Sequence, residues 1–193
     1  MSANTAWLTD EELRAMGFAA IGREVRVSRR ASLHQTAAIS LADHVRIDDF
    51  CVLTGGAGIV LGRNVHLGCF CALFGGAGIE LGDFAGLSAR VSVYSESDDY
   101  SGASMTNPTV PAKYRSPERG RVVMGRHVIV GAGSTVLPGV KLGEGAAVGA
   151  HSLVTRDCQP WTMYFGTPAK KLRARRDRKS TRLNSSHTDI SRM

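Results

Sequence analysis

Two isolated histidines, His66 and His127, are the side chains best suited to act as a general base. Imidazole changes its protonation state near neutral pH without a large perturbation. An acidic residue such as Asp98 or Asp99 could orient either ring, as the acid of a catalytic triad orients its base. Neither histidine has another histidine within ten residues, and the four cysteines form no C-x-x-C pair. The spacing therefore favours proton transfer by a single histidine and predicts no metal site.

The elements that must position these side chains follow from an internal repeat with a period of six residues. Four positions beyond each repeated aliphatic residue the side chain is small or β-branched, as at Cys51 and Cys71. Glycine often follows the aliphatic residue directly, where we expect it to allow unusual turn dihedrals. A period of six fits neither a helix nor an alternating strand, so it predicts a triangular coil of three short strands. The aliphatic residues expected to face inward are Leu41, Ile47, Leu53, Leu61, Leu67, Leu73, Leu81, Leu87, Val93, Met124, Val130, Val136, Leu142, Val148 and Val154.

Three segments flank or interrupt the repeat. Thr9 and Glu12 form a capping-box pattern, which predicts a short helix that ends near Gly17. Residues 95–121 lack the repeat, contain three prolines and several serines, and predict a long excursion loop with a functional role. The basic segment that follows Pro168 predicts a short C-terminal helix. The predicted organisation is an N-terminal helical segment at 1–20, an all-β solenoid domain at 21–175 and a basic, disordered tail at 176–193.

The net charge of +7 is concentrated near the C-terminus. Eight Lys or Arg and a single acid lie between residues 170 and 182, so the rest of the chain is close to neutral. No aromatic residues interleave with these charges, which disfavours nucleic-acid binding. No stretch approaches about 18 apolar residues and the first ten residues lack a signal-peptide pattern, so we expect a cytoplasmic protein without an integral membrane segment. Residues 179–193 resemble a translated vector remnant and are left out of the fold prediction.

The hexads over residues 20–175 resemble those of the hexapeptide-repeat transferase family. The resemblance is strongest at 130–134, 148–157 and 166–170, which are similar to the last coils of galactoside, maltose and O-antigen sugar acyltransferases. It implies a left-handed parallel β-helix that moves an acetyl group from acetyl-CoA directly to a hydroxyl or an amine of a sugar or sugar nucleotide. It also implies a homotrimer with active sites between subunits. The residues expected on one apolar outward side, which supports a trimer, are Val60, His66, Phe70 and Phe74.

The same resemblance identifies candidate CoA contacts in the last coils. Small side chains there would let the pantetheine arm approach the backbone, and cations would meet the phosphates. The residues that match the family's CoA contacts are Ala132, Ala150, Thr155, Arg156, Lys170 and Arg173.

The excursion loop departs from the pattern of the galactoside group. That group has its catalytic histidine at the start of the loop, whereas this chain has Asp98 near that position and no histidine within 95–121. Phe74 stands where the group has a sugar-binding asparagine. The base is therefore His66 or His127, oriented by Asp98 or Asp99 across a subunit boundary, or the substrate class has changed, or activity is lost.

Two other functions stay open at this point. A non-catalytic β-helix used as a scaffold or binding module is favoured by the missing loop histidine and opposed by the CoA-type motifs. A γ-class carbonic anhydrase would need three zinc-binding histidines, which the isolated His66 and His127 do not supply. The sequence determines neither the acceptor nor the choice between O- and N-transfer.

Overall fold

The N-terminal segment forms the predicted helix. A computed structural model describes residues 6–176. Helix α1 spans Asp10–Ala15, and both hydrogen bonds of the capping box are present, from the Glu12 amide to Thr9 Oγ1 (3.2 Å) and from the Thr9 amide to Glu12 Oε2 (2.7 Å). Leu13 is buried in the core, so α1 packs against the first coil. Within the described residues, no helix is both long and apolar enough to span a bilayer.

Three sheets form the sides of a solenoid, and all their strands are parallel except the last strand of the second sheet, which confirms the predicted all-β coil. The first side contains, in spatial order, β1 (Ala20–Ile21), β4 (Ile39–Leu41), β7 (Ile59–Leu61), β10 (Ile79–Leu81), β15 (Val122–Met124) and β18 (Lys141–Leu142). The second contains β2 (Arg26–Val27), β5 (Arg46–Ile47), β8 (His66–Leu67), β11 (Gly86–Leu87), β16 (Ile129–Val130), β19 (Ala147–Val148), β21 (Thr162–Phe165) and β22 (Lys170–Ala174). The third contains β3 (Ser32–His34), β6 (Val52–Thr54), β9 (Ala72–Phe74), β12 (Ser92–Tyr94), β17 (Thr135–Val136) and β20 (Leu153–Val154).

The predicted inward positions form the core. Each of the fifteen aliphatic residues predicted to face inward is at most 3% exposed. The strand register stacks equivalent residues of successive coils, as in the pairing of Ile47 with Leu67 and of Leu67 with Leu87. The small residues also stack as predicted, with Cys51 and Cys71 fully buried on neighbouring coils. Burial of each such aliphatic side chain contributes about 1.5–3 kcal/mol, so the repeat itself supplies the stability of the coil.

The glycines that follow the inward aliphatic residues have a role different from the predicted one. The positive φ angles lie two positions later, at residues such as Asn64 (58°) and Phe84 (62°). Gly62 has no positive φ, but a Cβ added to it would lie 2.7 Å from the Asp83 amide nitrogen on the next coil. The close approach of successive coils, and not the turn dihedral, therefore requires glycine at this position.

The excursion loop at 95–121 leaves the solenoid after β12 and returns at β15, as predicted. Its two ends pair as an antiparallel ladder of β13 (Glu96–Ser97) and β14 (Glu118–Arg119), which the sequence did not reveal. One 3-10 turn, Ala112–Tyr114, lies inside the loop, and another, Thr36–Ala38, precedes β4. The ladder holds the two ends of the loop together.

The predicted C-terminal helix is wrong. The basic segment is β22, which pairs antiparallel with β21, while β21 continues the second side by pairing in parallel with β19. A helix as short as this segment is only marginally stable by itself. The exposed edge of β21 instead offers backbone hydrogen-bond partners to this segment. Tertiary context therefore overrides the local preference for a helix. Of the predicted tail at 176–193, residues 177–193 lie outside the described part of the chain.

The prediction of a single apolar outward side is also wrong. Val60 lies on the first side, His66 on the second and Phe74 on the third, whereas Phe70 occupies a corner with a φ of 61°. The error arises because the four residues are spaced by one hexad or less, and each hexad turns the chain onto a new side.

Replacing Gly62 with alanine tests the close approach between coils. Because the new Cβ meets backbone atoms, we expect Gly62→Ala to lower the free energy of unfolding by about 1–3 kcal/mol. Gly86→Ala is the matched control, since a Cβ there meets no atom within 4 Å. That variant should equal the parent or exceed it by up to about 1 kcal/mol through a smaller unfolded-state entropy. Urea unfolding measures both, and equal losses would contradict the steric explanation.

Candidate functional site

Asp99 organises the excursion loop. Its carboxylate accepts hydrogen bonds from the hydroxyl and amide of Ser101 (2.5 and 2.8 Å) and from the amide and hydroxyl of Ser104 (2.8 and 3.0 Å). These bonds, above all those from Ser101, lower the pKa of Asp99 to about 2. The unfolded value is higher, about 3.9, so the charge stabilises the loop above that pH and the effect is lost as the pH falls towards 2. Asp99 is therefore an anchor of the loop and is not free to orient a histidine.

Asp98, the predicted catalytic acid, has a different environment. Its Oδ2 accepts one hydrogen bond, from the Asn107 amide at 3.2 Å. Within residues 6–176, its Oδ1 accepts none, although the residue is half-buried. Asp98, Asp99 and Glu118 line a cleft with Ser116 and Pro117, which we call the acidic cleft. Asp98 thus brings a carboxylate oxygen without a hydrogen bond in the described chain to a cleft with three acidic residues, an arrangement suited to a cationic group.

An aromatic pair lies at the base of the loop. Phe74 and Tyr94 stack with ring centroids 5.1 Å apart and ring planes at 15°. Next to them, buried Ser95 donates its hydroxyl hydrogen to the Phe74 carbonyl (2.8 Å) and accepts from the Ala77 amide (2.9 Å). The position of the family's sugar-binding asparagine is therefore occupied by a fixed apolar platform.

His66 points outward from the second side, as predicted. Its side chain is half-exposed, and Nε2 lies 2.8 Å from Asp48 Oδ2. Asp48 also accepts from Arg46 Nε at 2.7 Å. Burial raises the pKa of Asp48, but the hydrogen bonds from His66 and Arg46 outweigh this effect and leave the pKa below its usual value. Asp48 therefore stays charged and holds the imidazole in one orientation.

Asp48 is the residue that the sequence prediction missed. It follows inward-facing Ile47 at the hexad position that is often glycine, as at Gly62 and Gly82. The register places Arg46 beside His66 and Ile47 beside Leu67, so the side chain of Asp48 reaches the histidine of the next coil. The sequence did contain a signal for this pair, because a carboxylate stands at a position that is usually small, eighteen residues before a histidine.

His127 occupies a corner of the coil, with a φ of 59°. Its ring stacks on Phe84 at a centroid distance of 5.1 Å and lies 6.3 Å from the ring of Trp161. The Arg175 guanidinium donates to the His127 carbonyl at 2.8 Å, which ties β22 and the following residue to this corner. These contacts give His127 a packing role, and its catalytic role stays a prediction.

Within one chain, the predicted acid and bases are not brought together. Asp98 lies in the loop that leaves the third side, whereas His66 is on the second side with Asp48 as its partner. Orientation of a histidine by Asp98 therefore stays a prediction that requires a second subunit.

The predicted CoA contacts lie along the last coils. Ala132 and Ala150 are on adjacent coils, and the His151 amide donates to the Ala132 carbonyl at 2.8 Å. A Cβ at Gly131 would lie 2.5 Å from the Ala150 amide nitrogen, so backbone is closely packed there. The polar candidates are all exposed, namely Thr155, Arg156, Lys170 and Arg173. Among the described residues, none of the three cations forms an ion pair, which leaves their charges available to phosphates.

The cysteines and acids do not assemble a metal centre in the described part of the chain, where no group of three or more potential ligands occurs. All four cysteines are free thiols. Cys51 and Cys71 donate to the Gly68 and Ser88 carbonyls at 3.1 Å each. The neighbouring thiol and burial raise the pKa of Cys71, so this thiol stays protonated and acts as a small apolar core residue.

Comparison with known proteins extends these observations. Residues 121–156 match the family model "Bacterial transferase hexapeptide (six repeats)". Over 171 residues the chain is 42% identical to a dTDP-4-amino-4,6-dideoxy-D-glucose acyltransferase of Escherichia coli, with 88% of this chain and 89% of the relative covered. AntD, an N-acyltransferase from Bacillus cereus solved in complex with dTDP and 3-hydroxybutyryl-CoA, superposes with a TM-score of 0.91 at 38% identity, covering 98% of this chain and all of that one.

A more distant structure shares only the fold. The hexapeptide-repeat acetyltransferase VCA0836 of Vibrio cholerae has a TM-score of 0.61 at 20% identity, with 88% of this chain and 83% of that chain covered. The identity and coverage of the first relative extend far beyond the six repeats of the family model. The chain therefore belongs to the hexapeptide-repeat family of CoA-dependent acyltransferases with a left-handed β-helix fold.

Proposed function

We propose that this protein transfers an acyl group from acyl-CoA to the amino group of a dTDP-4-amino-4,6-dideoxyglucose type of sugar nucleotide. The main support for this proposal is the 42% identity, along almost the whole chain, to an acyltransferase of that specificity. A variant of AntD in which one serine is replaced by alanine was solved with dTDP-4-amino-4,6-dideoxyglucose and Coenzyme A. Its sequence is 39% identical to this chain. The acidic cleft suits such an acceptor because an amino group carries a positive charge near neutral pH.

The reaction needs a bond exchange and the loss of two protons from the cationic amino group. The first proton leaves to solvent, and the neutral amine nitrogen then attacks the thioester carbonyl. The N–C bond forms, the C–S bond breaks, CoA leaves as the thiolate, and the nitrogen loses its second proton. We infer that Asp98 Oδ1 holds the amine through a charge-assisted hydrogen bond and stabilises the positive charge that nitrogen carries after attack. His66, oriented by Asp48, takes the proton. His127 is the second choice for this base.

In this proposal, the acyl-CoA donor binds along the last coils. Ala132 and Ala150 allow the pantetheine arm to approach the backbone, and the exposed cations Arg156, Lys170 and Arg173 face the phosphates, with Thr155 beside them. The acyl group is acetyl or a longer acid. The 3-hydroxybutyryl-CoA bound to AntD supports a longer acyl group for this chain as well.

We propose a homotrimer whose sites lie between subunits. Phe50 and Phe70 stack at 5.0 Å on one corner and are 47% and 51% exposed, and Ile129 on the adjoining second side is 44% exposed. Covering this surface would bury apolar area and bring the second side of one subunit, with His66, towards the loop of another.

We also propose a cytoplasmic location. Four free cysteines and a CoA substrate are consistent with the reducing cytoplasm.

The choice of acceptor tests the proposed function. The protein should release CoA thiol from acetyl-CoA in the presence of dTDP-4-amino-4,6-dideoxyglucose. It should release none above background with the analogue that carries a hydroxyl at the same carbon, because the acidic cleft holds a cation and a hydroxyl is a weaker nucleophile. Thiol release with a chromogenic reagent measures both rates, and equal rates would contradict N-transfer.

Replacing His66 tests the base. His66→Ala should lower the rate constant by roughly 10²–10⁴-fold, the usual contribution of a general base, while CoA affinity stays unchanged. Asp48→Asn should lower the rate by less, because the ring remains but loses its charged partner. His127→Ala, which tests the second candidate base, should lower the melting temperature more than the rate, since it removes a stacked ring. A His66→Ala rate within about threefold of the parent would exclude this histidine from the mechanism.

The neighbouring aspartates form a matched pair. Asp98→Asn should raise the KM for the amino sugar or lower kcat, with the loop intact, because only the charge at the amine is removed. Asp99→Asn should loosen the loop, because the four hydrogen bonds from Ser101 and Ser104 weaken. Limited trypsin digestion at Lys113 and Arg115, combined with steady-state kinetics, separates the two effects. Equal protease sensitivity of both variants would contradict the separate roles.

A further inference from the structure

Arg115 is a half-buried cation for which the described residues provide no partner. Its Nε is the one buried side-chain nitrogen or oxygen in residues 6–176 that has no hydrogen-bond partner. The other arginines of this region are paired, Arg119 with Glu96 at 3.2 Å and Arg121 with Glu80 at 2.7 Å. Within the described residues, the side chain of Arg115 forms no ion pair.

An unpaired, partly buried guanidinium is costly for a folded protein. Burying a charged group without a partner costs several kcal/mol unless an anion compensates it. The loop therefore offers an anionic ligand a guanidinium whose Nε no group in the described chain occupies.

Arg115 lines a cavity next to the acidic cleft. We call it the basic cavity, and its lining residues are Ala112, Arg115, Ser116, Pro117 and Arg119. Ser116 and Pro117 also line the acidic cleft, so these two residues separate the two sites. The wall is held in place because the Ser116 amide donates to Ser104 Oγ at 3.1 Å, and Ser104 is bound to Asp99. The loop thus presents a positive and a negative site side by side at fixed spacing.

We propose that the basic cavity binds the diphosphate of the sugar nucleotide through Arg115 while the acidic cleft binds its amino group. This inference rests on the proposed function, because it takes the amino-sugar nucleotide as the acceptor. That acceptor has the same charge pattern as the loop, a dianionic diphosphate at one end of a hexose and a cation at the other. The planar guanidinium can donate two parallel hydrogen bonds to phosphate oxygens. The charge of Arg119 is already compensated by Glu96, so Arg115 supplies the free charge.

This arrangement makes the excursion loop a determinant of specificity. A free amino sugar would satisfy Asp98 but leave Arg115 unpaired, and a nucleoside diphosphate without the amine would do the opposite. Full binding energy is available only to a molecule that carries both charges at the correct spacing. The phosphates of CoA are assigned to the last coils, where Arg156, Lys170 and Arg173 are exposed.

Arg115→Gln, with Arg121→Gln as the matched control, tests the assignment. We expect Arg115→Gln to raise the Kd of dTDP, measured by calorimetry, about 10- to 100-fold, the usual loss for a hydrogen bond to a charged group. The Kd of thymidine, which lacks phosphate, and the KM for acyl-CoA should stay within about twofold. Arg115→Lys should retain part of the affinity, because it keeps the charge but not the planar pair of donors. Arg121→Gln should match the parent in all three measurements.

Three results would overturn the assignment to diphosphate. Equal losses for dTDP and thymidine would show that Arg115 supports the loop and not the phosphates. A rise in the KM for acyl-CoA with unchanged dTDP affinity would assign Arg115 to the donor. A change in oligomeric state by light scattering, with unchanged dTDP affinity, would show that Arg115 pairs with another subunit. Each of these leaves the proposed function standing if the parent acylates the amino-sugar nucleotide, whereas a parent that neither binds dTDP nor acylates it removes both.

Discussion

The close stacking of one coil on the next is the constraint on which the rest of the structure depends. Parallel ladders on three sides hold successive coils at strand spacing, about 4.8 Å. At that spacing an aliphatic side chain fits inside the coil and a small side chain fits beside it. There is no room for a Cβ at positions such as Gly62, where it would meet the Asp83 backbone. Regular stacking makes every hexad position a column, so each side chain has a predictable neighbour on the coil above and below.

The contact between the candidate base and its carboxylate partner results from this stacking of residues in columns. Asp48 and His66 meet because the ladder places one coil directly beside the next, and the carboxylate that flanks an inward residue then reaches an outward ring. The corner columns behave differently, since positive φ directs side chains away from the coil. There Phe84 and His127 stack on each other and contribute packing. The two candidate histidines thus have different surroundings in the fold, one beside a carboxylate and one in an aromatic stack.

The excursion loop adds what the regular coil lacks, which is a concave surface with separated charges. Asp98 and Asp99 are adjacent in sequence, yet the four hydrogen bonds from serines fix Asp99 and leave one oxygen of Asp98 free. Arg119 is neutralised by Glu96 across the β13–β14 ladder, whereas Arg115 has no partner in the described chain. Local hydrogen bonding therefore decides which charges hold the loop together and which face a ligand.

The sequence by itself determined the features that a single coil can express. The six-residue period identified the solenoid and its inward residues, the Thr9–Glu12 pattern identified helix α1, and the break in the repeat identified the loop. The tertiary structure decided what depends on contact between coils. The partner of His66, the steric reason for Gly62, the distribution of exposed apolar residues over several sides and the strand β22 all follow from register and edge pairing. A period records which way a side chain points, but not which residue of a neighbouring coil it meets. That register depends on the length of each coil, which is 20 residues from Val60 to Glu80 before the loop and 18 residues from Val123 to Lys141 after it.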